Sequence, residues 1–579
     1  MARVTNPDVG APTPPDAPPR RAADEPTDQA AAEPTGQAAA EPTDWYAEPH
    51  PVTGDPQITP IRSTVERLRN AMPDDWNIAW LVGLGIMTLA FVLRIIHIGR
   101  PEGLVFDEIY YAKDAYALLH TGFEHNWTGE ADSQVIHGDF SGMQDTGSFI
   151  VHPPVGKWLI ALGIQAFGFN AFGFRFPSVV AGSALVLVVF FLARRLSRST
   201  MIGAVAAFLL TMDGLHFSMS RIALLDIFQA FFTVAAVLAL VVDRDWFRER
   251  LARHLENKGI ADLGGSFGPV FLWRPWRLAA GILFALACAT KWNSVYVLAA
   301  FSILSVVWDL GARRLAGAGT NSSVSLITDA PVAFFYQVVV AIPVYVLTWL
   351  GWLTTSGGHS RDYGANHPDD PFVRVFGDAL GSLWNYHREI YGFHTGDGIK
   401  EATHIYEAHP AGWLVMARPI GIDAVNGIQP GVDGCPPAPN TETCLRVISG
   451  MGTPILWWVG VIALIAALVL WVGNRDWRFG VPVLGVATTW LTWFPNAERP
   501  LFFFYAIMII PFTCIAVALC LGKLIAPADQ PQRRLLGAIA AGVIVALVTL
   551  NFAYIYPILT DELLLYPQWL SRMWFQSWI

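Results

Sequence analysis

The chain has 579 residues, 53% of them hydrophobic and only 15% charged, with 23 Trp and 35 Phe. A soluble globular protein carries about 25% charged residues, so this composition excludes an ordinary soluble enzyme. The formal net charge of -9 supplies no phosphate-attracting field, which argues against a nucleic-acid partner.

Residues 1 to about 60 are rich in Ala, Pro, Glu and Thr, with AADEPT and AAAEPT recurring at short intervals. Such a segment cannot bury enough apolar surface to offset its ordering entropy, so a disordered cytoplasmic tail is expected there. It lacks the charged start, apolar core and small-residue cleavage site of a signal peptide, which leaves targeting to the first span.

Apolar blocks follow that can cross a hydrocarbon core of about 30 Å as helices. The first runs from Asn77 to Ile98. Others lie near 173–195, 201–219, 221–242, 278–289, 292–310, 332–353, 453–473, 479–494, 500–523 and 534–556. The expected fold is thus an all-α polytopic membrane protein with about eleven transmembrane helices. Block 278–289 is short, and Trp158–Phe169 suits an interfacial amphipathic helix as well as a span.

Cations gather in alternate connections: Arg62, Arg67 and Arg69, then Arg194, Arg195 and Arg198, then the stretch from Arg244 to Arg277. Arg313, Arg314, Arg475, Arg478, Lys523, Arg533 and Arg534 continue the pattern. Positive charge stays inside, which predicts a cell-membrane protein with its amino terminus cytoplasmic and the stretch after Pro557 outside. The polar segments 100–157 and 354–450 become two large outer loops. The predicted organisation is a tail (1–60), a transmembrane core with the first outer loop (61–353), a large outer loop (354–450) and a carboxyl-terminal bundle with an outer tail (451–579).

Of the five cysteines, Cys288, Cys514 and Cys520 lie in apolar runs and suit packing. Cys435 and Cys444 bracket the polar segment GCPPAPNTETC on the outer side, where a disulfide is expected.

Several ionisable residues sit at helix ends or inside apolar runs: Arg94, Arg175, Asp213, His216, Arg221, Asp226, Lys291, Glu498 and Arg499. Each costs roughly 2.5–3.5 kcal/mol at a helix centre unless paired or solvated. Any one of them could snorkel or pair for structural reasons, but all map to one side, which points to a polar cavity open to the outside. In GRPEGLVFDEIYYAKDAYALLHTG, the adjacent carboxylates Asp107 and Glu108 diverge in direction, so one is expected to be chemical and the other structural. A desolvated carboxylate there suits a general base.

His152-Pro153-Pro154 reads as a rigid start to a helix, hence scaffold. No second His or Cys stands at ligand spacing, so no metal is assigned. Outer-loop residues His359, Tyr386, His387, Tyr391, His394, His404 and His409 suit acceptor positioning or loop structure. The sequon Asn126-Trp127-Thr128 reads as a chance match.

The segments FDEIYYAKDA, VHPPVGKW, FRFPSVVAG, DGLHFSMSRIALLDIF and CATKWNSVY stand in the order and spacing of protein O-mannosyltransferases. YHREIYGFH, MGTPILWW and ERPLFFFYAIMIIPF resemble the actinobacterial branch of that family, and the resemblance covers nearly everything after residue 75. It implies a C-type glycosyltransferase fold that moves mannose from a polyprenyl-phosphate carrier to Ser or Thr hydroxyls of secreted proteins, inverting the anomeric centre. By the same resemblance Asp107 takes the catalytic acidic position and Arg175 that of an arginine associated with the carrier phosphate. Glu108, Arg221, Asp226 and Lys291 fall in matching motifs without assigned roles.

The departing phosphate is already a stable anion, so the scheme needs a base and cations and calls for no metal or other cofactor. Arg175, with Arg221, Lys291, Arg499 or Arg94, would neutralise the phosphate. LFFFYAIMIIPF suits either a groove wall for the carrier tail or plain lipid-facing packing. Unlike eukaryotic members, the chain has no obvious β-rich module in its large outer loop, which leaves acceptor selection open. A C-type enzyme that modifies a lipid or glycan is the alternative; a transporter is disfavoured because no internal repeat is visible.

Overall fold

The apolar blocks become helices, some of them interrupted, whose ends are set by local chemistry. The computed structural model describes residues 63–579 except 70, 438–441 and 526–528, so the expected tail lies outside the described residues. In chain order the helices used below are α1 (Trp76–Ile95), α2 (Glu108–Thr121), α3 (Val155–Phe167), α4 (Ala171–Ser197), α5 (Thr200–Thr211), α6 (Gly214–Met219) and α7 (Asp226–Lys258). They continue with α8 (Pro275–Cys288), α9 (Ser294–Leu315), the composite α10 (Gly319–Thr348), α11 (Pro371–Thr395), α12 (Pro454–Val472), α13 (Trp477–Trp490), α14 (Ile510–Leu524) and the composite α15 (Pro531–Leu559). Among the described residues, α1, α4, α7, α9, α10, α12 and α15 are long and apolar enough to cross a membrane, and α3, α5, α8 and α14 are shorter apolar helices. The protein is a membrane-embedded, multi-pass helical bundle.

The caps explain the boundaries. Asn170 starts α4 by accepting from the Gly173 amide at 2.9 Å, and Asp213 starts α6 by accepting from His216 at 2.8 Å. Proline opens α8, α11, α12, α14 and α15, where its fixed φ and missing N–H cost nothing. The predicted run 201–219 is two helices because Asp213 interrupts it. The run 221–242 starts later, at Asp226, and continues to Lys258, because Leu251 and Leu255 find a small apolar core with Leu68 and Leu315. The run 500–523 is a 3-10 turn, Phe503–Met508, followed by α14.

Of the spans, α7 is the most enclosed and organises the bundle. Asp226 stands at its first turn. Asp243 lies seventeen residues on, about 25 Å along the axis at 1.5 Å per residue. There it joins a buried ionic knot: Asp243 and Asp309 of α9 face Arg274, which precedes α8, and Arg277 of α8 at 2.5–3.1 Å, every one of the four side chains at most 1% exposed. Nearby, Arg313 pairs with Asp329 at 2.7 Å, also out of solvent.

The long polar segments and the end of the chain carry two small antiparallel sheets that the sequence reading did not anticipate. One joins β1 (His125–Trp127) to β2 (Met143–Gly147). The other has the order β3 (Ile420–Ile428), β4 (Cys444–Gly450), β5 (Leu564–Leu565), so the end of the chain completes a sheet begun in the 354–450 loop. Cys435 and Cys444 are disulfide-bonded across the β3–β4 connection. In the first loop, Lys157 of α3 reaches Asp114 of α2 at 2.9 Å and Glu124 at 3.0 Å, a buried triad that braces α3 against α2.

Candidate active site

The two adjacent carboxylates divide their work. Glu108, in the first turn of α2, is fully buried and accepts four hydrogen bonds: from the Val105 amide at 2.9 Å, the Ala223 amide at 2.8 Å, and Arg175 Nε and Nη2 at 2.8 Å each. Arg175, on α4, gives its remaining three N–H groups to the carbonyls of Ile98, Pro101 and Gly103 at 3.2, 2.8 and 3.0 Å. A guanidinium has five N–H donors, and all five are used within the protein. The sequence expectation placed Arg175 at the carrier phosphate. The structure makes it a clamp on the 98–108 loop, with no donor left for a ligand.

That clamp aims Asp107. Phe106 just before it adopts φ +49°, a conformation costly for a non-glycine residue. Its ring is held edge-on against Phe502 and Phe504, with centroids 6.0 and 5.6 Å away. Asp107 then precedes the first turn of α2, with Tyr111 one turn on acting to hold its pKa down. Burial pushes its pKa up to about 6, the positive charge of Lys291 opposes this and Asp226 adds to it.

Lys291 and Asp226, whose charges reach Asp107, line a cavity of about 300 Å³ together with His152, Trp292, His394, Arg499 and Tyr505; Asp107 itself is not among the lining residues. Lys291 Nζ pairs with Asp226 Oδ2 at 2.8 Å and sits 5.2 Å from the centre of the Tyr505 ring. Arg499 Nη1 donates to His394 Nδ1 at 3.1 Å, and His394 Nε2 lies 2.9 Å from the Val151 carbonyl. Because arginine can only donate and a carbonyl can only accept, His394 is the neutral Nε2–H tautomer. Burial, the main cause, and the nearby Arg499 and Lys291 charges hold its pKa down. His152 stacks on it at 5.6 Å, its own pKa pushed well down by burial, then by Lys291. Arg499 Nε is buried without a hydrogen-bond partner. A second cavity, of about 620 Å³, adjoins the first through Trp292, Val295 and Tyr391 and is walled by Cys288, Trp384, His387 and Arg388.

Other predicted site residues lie elsewhere. Arg94, fully buried, donates to the Ala90 and Thr211 carbonyls and to His216 Nδ1 at 2.8 Å. Arg221 closes the end of α1 through the carbonyls of Arg94, Ile96 and His97 at 2.7, 2.6 and 3.3 Å. Both donate to groups within the protein, and neither is among the residues lining the cavity of Lys291 and Arg499. Asp213 is a structural hub, accepting from the His216 and Thr453 amides and from Trp457 Nε1. His387 accepts from Tyr345 at 2.7 Å and donates to the Leu383 carbonyl, tying α11 to α10. Among the described residues, no group of three His, Cys, Asp or Glu side chains is placed to hold a metal ion.

The family model described as dolichyl-phosphate-mannose-protein mannosyltransferase matches residues 85–261. A polyprenol-phosphate-mannose--protein mannosyltransferase of Mycolicibacterium smegmatis (strain MKD8) is 35% identical over 514 residues, 87% of this chain and 94% of that relative. The chain belongs to this mannosyltransferase family. The relative of the same name in Mycobacterium tuberculosis (strain CDC 1551 / Oshkosh) is 34% identical over 506 residues, 86% of this chain and 92% of its own length. The S. cerevisiae protein O-mannosyltransferase Pmt1-Pmt2 complex bound to the sugar donor shares the fold, with a TM-score of 0.64 at 13% identity over 89% of this chain and 94% of that one. Family membership makes this protein a membrane glycosyltransferase.

Sequence reasoning missed two members of the site. Tyr111 stands one helical turn after Asp107, a spacing that could have suggested contact. Tyr505, within FFFYA, stood out only as one more aromatic residue. His394 was visible as a histidine of the 354–450 segment, but its bond to Arg499 spans 105 positions and leaves no local signature.

Proposed function

We propose that the protein transfers mannose from polyprenyl-phosphate-mannose to Ser or Thr hydroxyls of secreted proteins, with inversion, at the outer face of the cell membrane. One observation carries this reading: a desolvated carboxylate, Asp107, beside a chamber holding two cations, Lys291 and Arg499, that adjoins a second cavity among Trp384, Trp292 and Val295. Asp107 accepts the hydroxyl proton as the oxygen bonds to the anomeric carbon. The bond from that carbon to the phosphate oxygen breaks on the opposite face, and the electron pair leaves with the phosphate. Lys291 and Arg499 stabilise the growing negative charge, where exclusion of water magnifies their effect. Arg175 acts at one remove, through the loop that presents Asp107. The second cavity suits the first isoprene units of the carrier.

The names of the mycobacterial relatives support the donor and the acceptor class. The cation pattern supports an amino terminus inside and a carboxyl terminus outside, with the 100–157 and 354–450 segments outside. The test offers purified enzyme labelled polyprenyl-phosphate-mannose and a Ser/Thr peptide. Label in the peptide is the expected result; label passed solely to a lipid or glycan acceptor overturns the reading.

A further inference from the structure

A third cavity, of about 220 Å³, lies between the β3–β4 sheet and the end of the chain and shares no lining residue with the other two. The residues lining it include the aromatic Tyr406, Trp569 and Trp578 and the polar Asp423, Asn426 and Ser449. The walls are fixed from behind. Trp578 Nε1 donates to the Met416 carbonyl at 2.9 Å, Ser577 Oγ to Ala417 at 2.6 Å, and Arg418 ties the Ser577 and Ile405 carbonyls together at 2.8 and 2.6 Å. Asp423 is half-buried, yet among the described residues it has no ion-pair partner.

Flat aromatic faces beside a carboxylate and an amide are the chemistry that recognises a pyranose: the ring's C–H face lies on an aromatic face, and its neighbouring hydroxyls donate to carboxylate oxygens. Asp423 is close enough to Glu108 and Arg175 to sense their charges. The cavity it lines nonetheless shares no residue with the chamber of Lys291 and Asp226. Resting on the function proposed above, we propose that this cavity is a subsite for a mannose already attached to the acceptor chain, stacked on Trp569 or Tyr406 and bonded through its hydroxyls to Asp423 and Asn426. An acceptor that has received one mannose would then be held for modification at a neighbouring hydroxyl.

The test uses the full-length enzyme in detergent with two readouts. Saturation-transfer NMR with methyl α-mannoside should give a signal that Trp569→Ala and Asp423→Asn remove and Trp569→Tyr retains. Initial rates on a Thr-rich peptide, bare or carrying one α-mannosyl-threonine, should show a KM lower by about tenfold for the mannosylated form, the yield of one or two net hydrogen bonds. The same two variants should erase that preference and leave the rate on bare peptide unchanged. Equal KM values in the wild type, an NMR signal indifferent to the variants, or equal slowing of both peptides, which marks a peptide groove, would each overturn the subsite. Transfer to neither peptide refutes the proposed function, while the NMR arm still reads the cavity.

Discussion

Arg175→Ala is the sharpest test of the division of labour at the site. The substitution removes two of the four hydrogen bonds to Glu108, leaves that carboxylate charged in a fully buried position, and frees the carbonyls of Ile98, Pro101 and Gly103. Removing one partner of a buried ion pair costs about 3–5 kcal/mol, and the freed carbonyls push the loss toward the upper end. Neutralising the stranded charge should recover part of it. The double variant Arg175→Ala with Glu108→Gln is therefore expected to be more stable than Arg175→Ala alone, with a coupling of about 1–3 kcal/mol. Arg175→Lys keeps the charge but offers three donors instead of five, and should fall between. Thermal unfolding of the detergent-purified protein, run beside direct binding of polyprenyl phosphate, reads both effects. Wild-type unfolding of Arg175→Ala combined with a selective loss of carrier binding would refute the clamp and return this guanidinium to the phosphate.

Asp107→Asn should lower turnover by about 10²–10⁴-fold, the usual contribution of a general base, and leave carrier binding intact; single-turnover rates and a binding titration separate the two. Because the Asp107 pKa is raised to about 6, the base is protonated and inactive below that value, so kcat/KM should fall with decreasing pH through 6 and level off above it. A profile flat between pH 5 and 8 would remove Asp107 as the base. Lys291→Ala and Arg499→Ala should each weaken binding of polyprenyl phosphate by about 10–100-fold, the worth of one charged hydrogen bond. Serine at both Cys435 and Cys444 should release about 2–3 kcal/mol of constraint on the β3–β4 connection, seen as faster amide exchange in those strands with the spans unaffected.

Hydropathy exposes the spans because hydrocarbon tolerates few polar groups, and α1, α4 and α12 lie close to where the apolar blocks put them. Runs broken by Asp213 or by the Phe503–Met508 turn were legible only as continuous, because an interior stop signal is satisfied by tertiary partners such as Thr453 and Trp457. Adjacency alone foretold that Asp107 and Glu108 would differ. Which arginines face a ligand was not legible. Arg175 and Arg499 look alike in sequence, and only the carbonyls of Ile98, Pro101 and Gly103, brought in by the loop's path, show that the first is spent. The sheet of β3, β4 and β5 escaped notice because its third strand lies more than a hundred residues from its second.

The knot of Asp243, Asp309, Arg274 and Arg277 sits some 25 Å down α7 from Asp226, two carboxylates and two guanidinium groups locked together out of solvent. A polar group passing that level of the bundle would have to part all four of these contacts at once. Under the proposed reaction, the discharged prenyl phosphate is left in the leaflet that delivered it loaded, and its recycling to the opposite leaflet falls to some other machine.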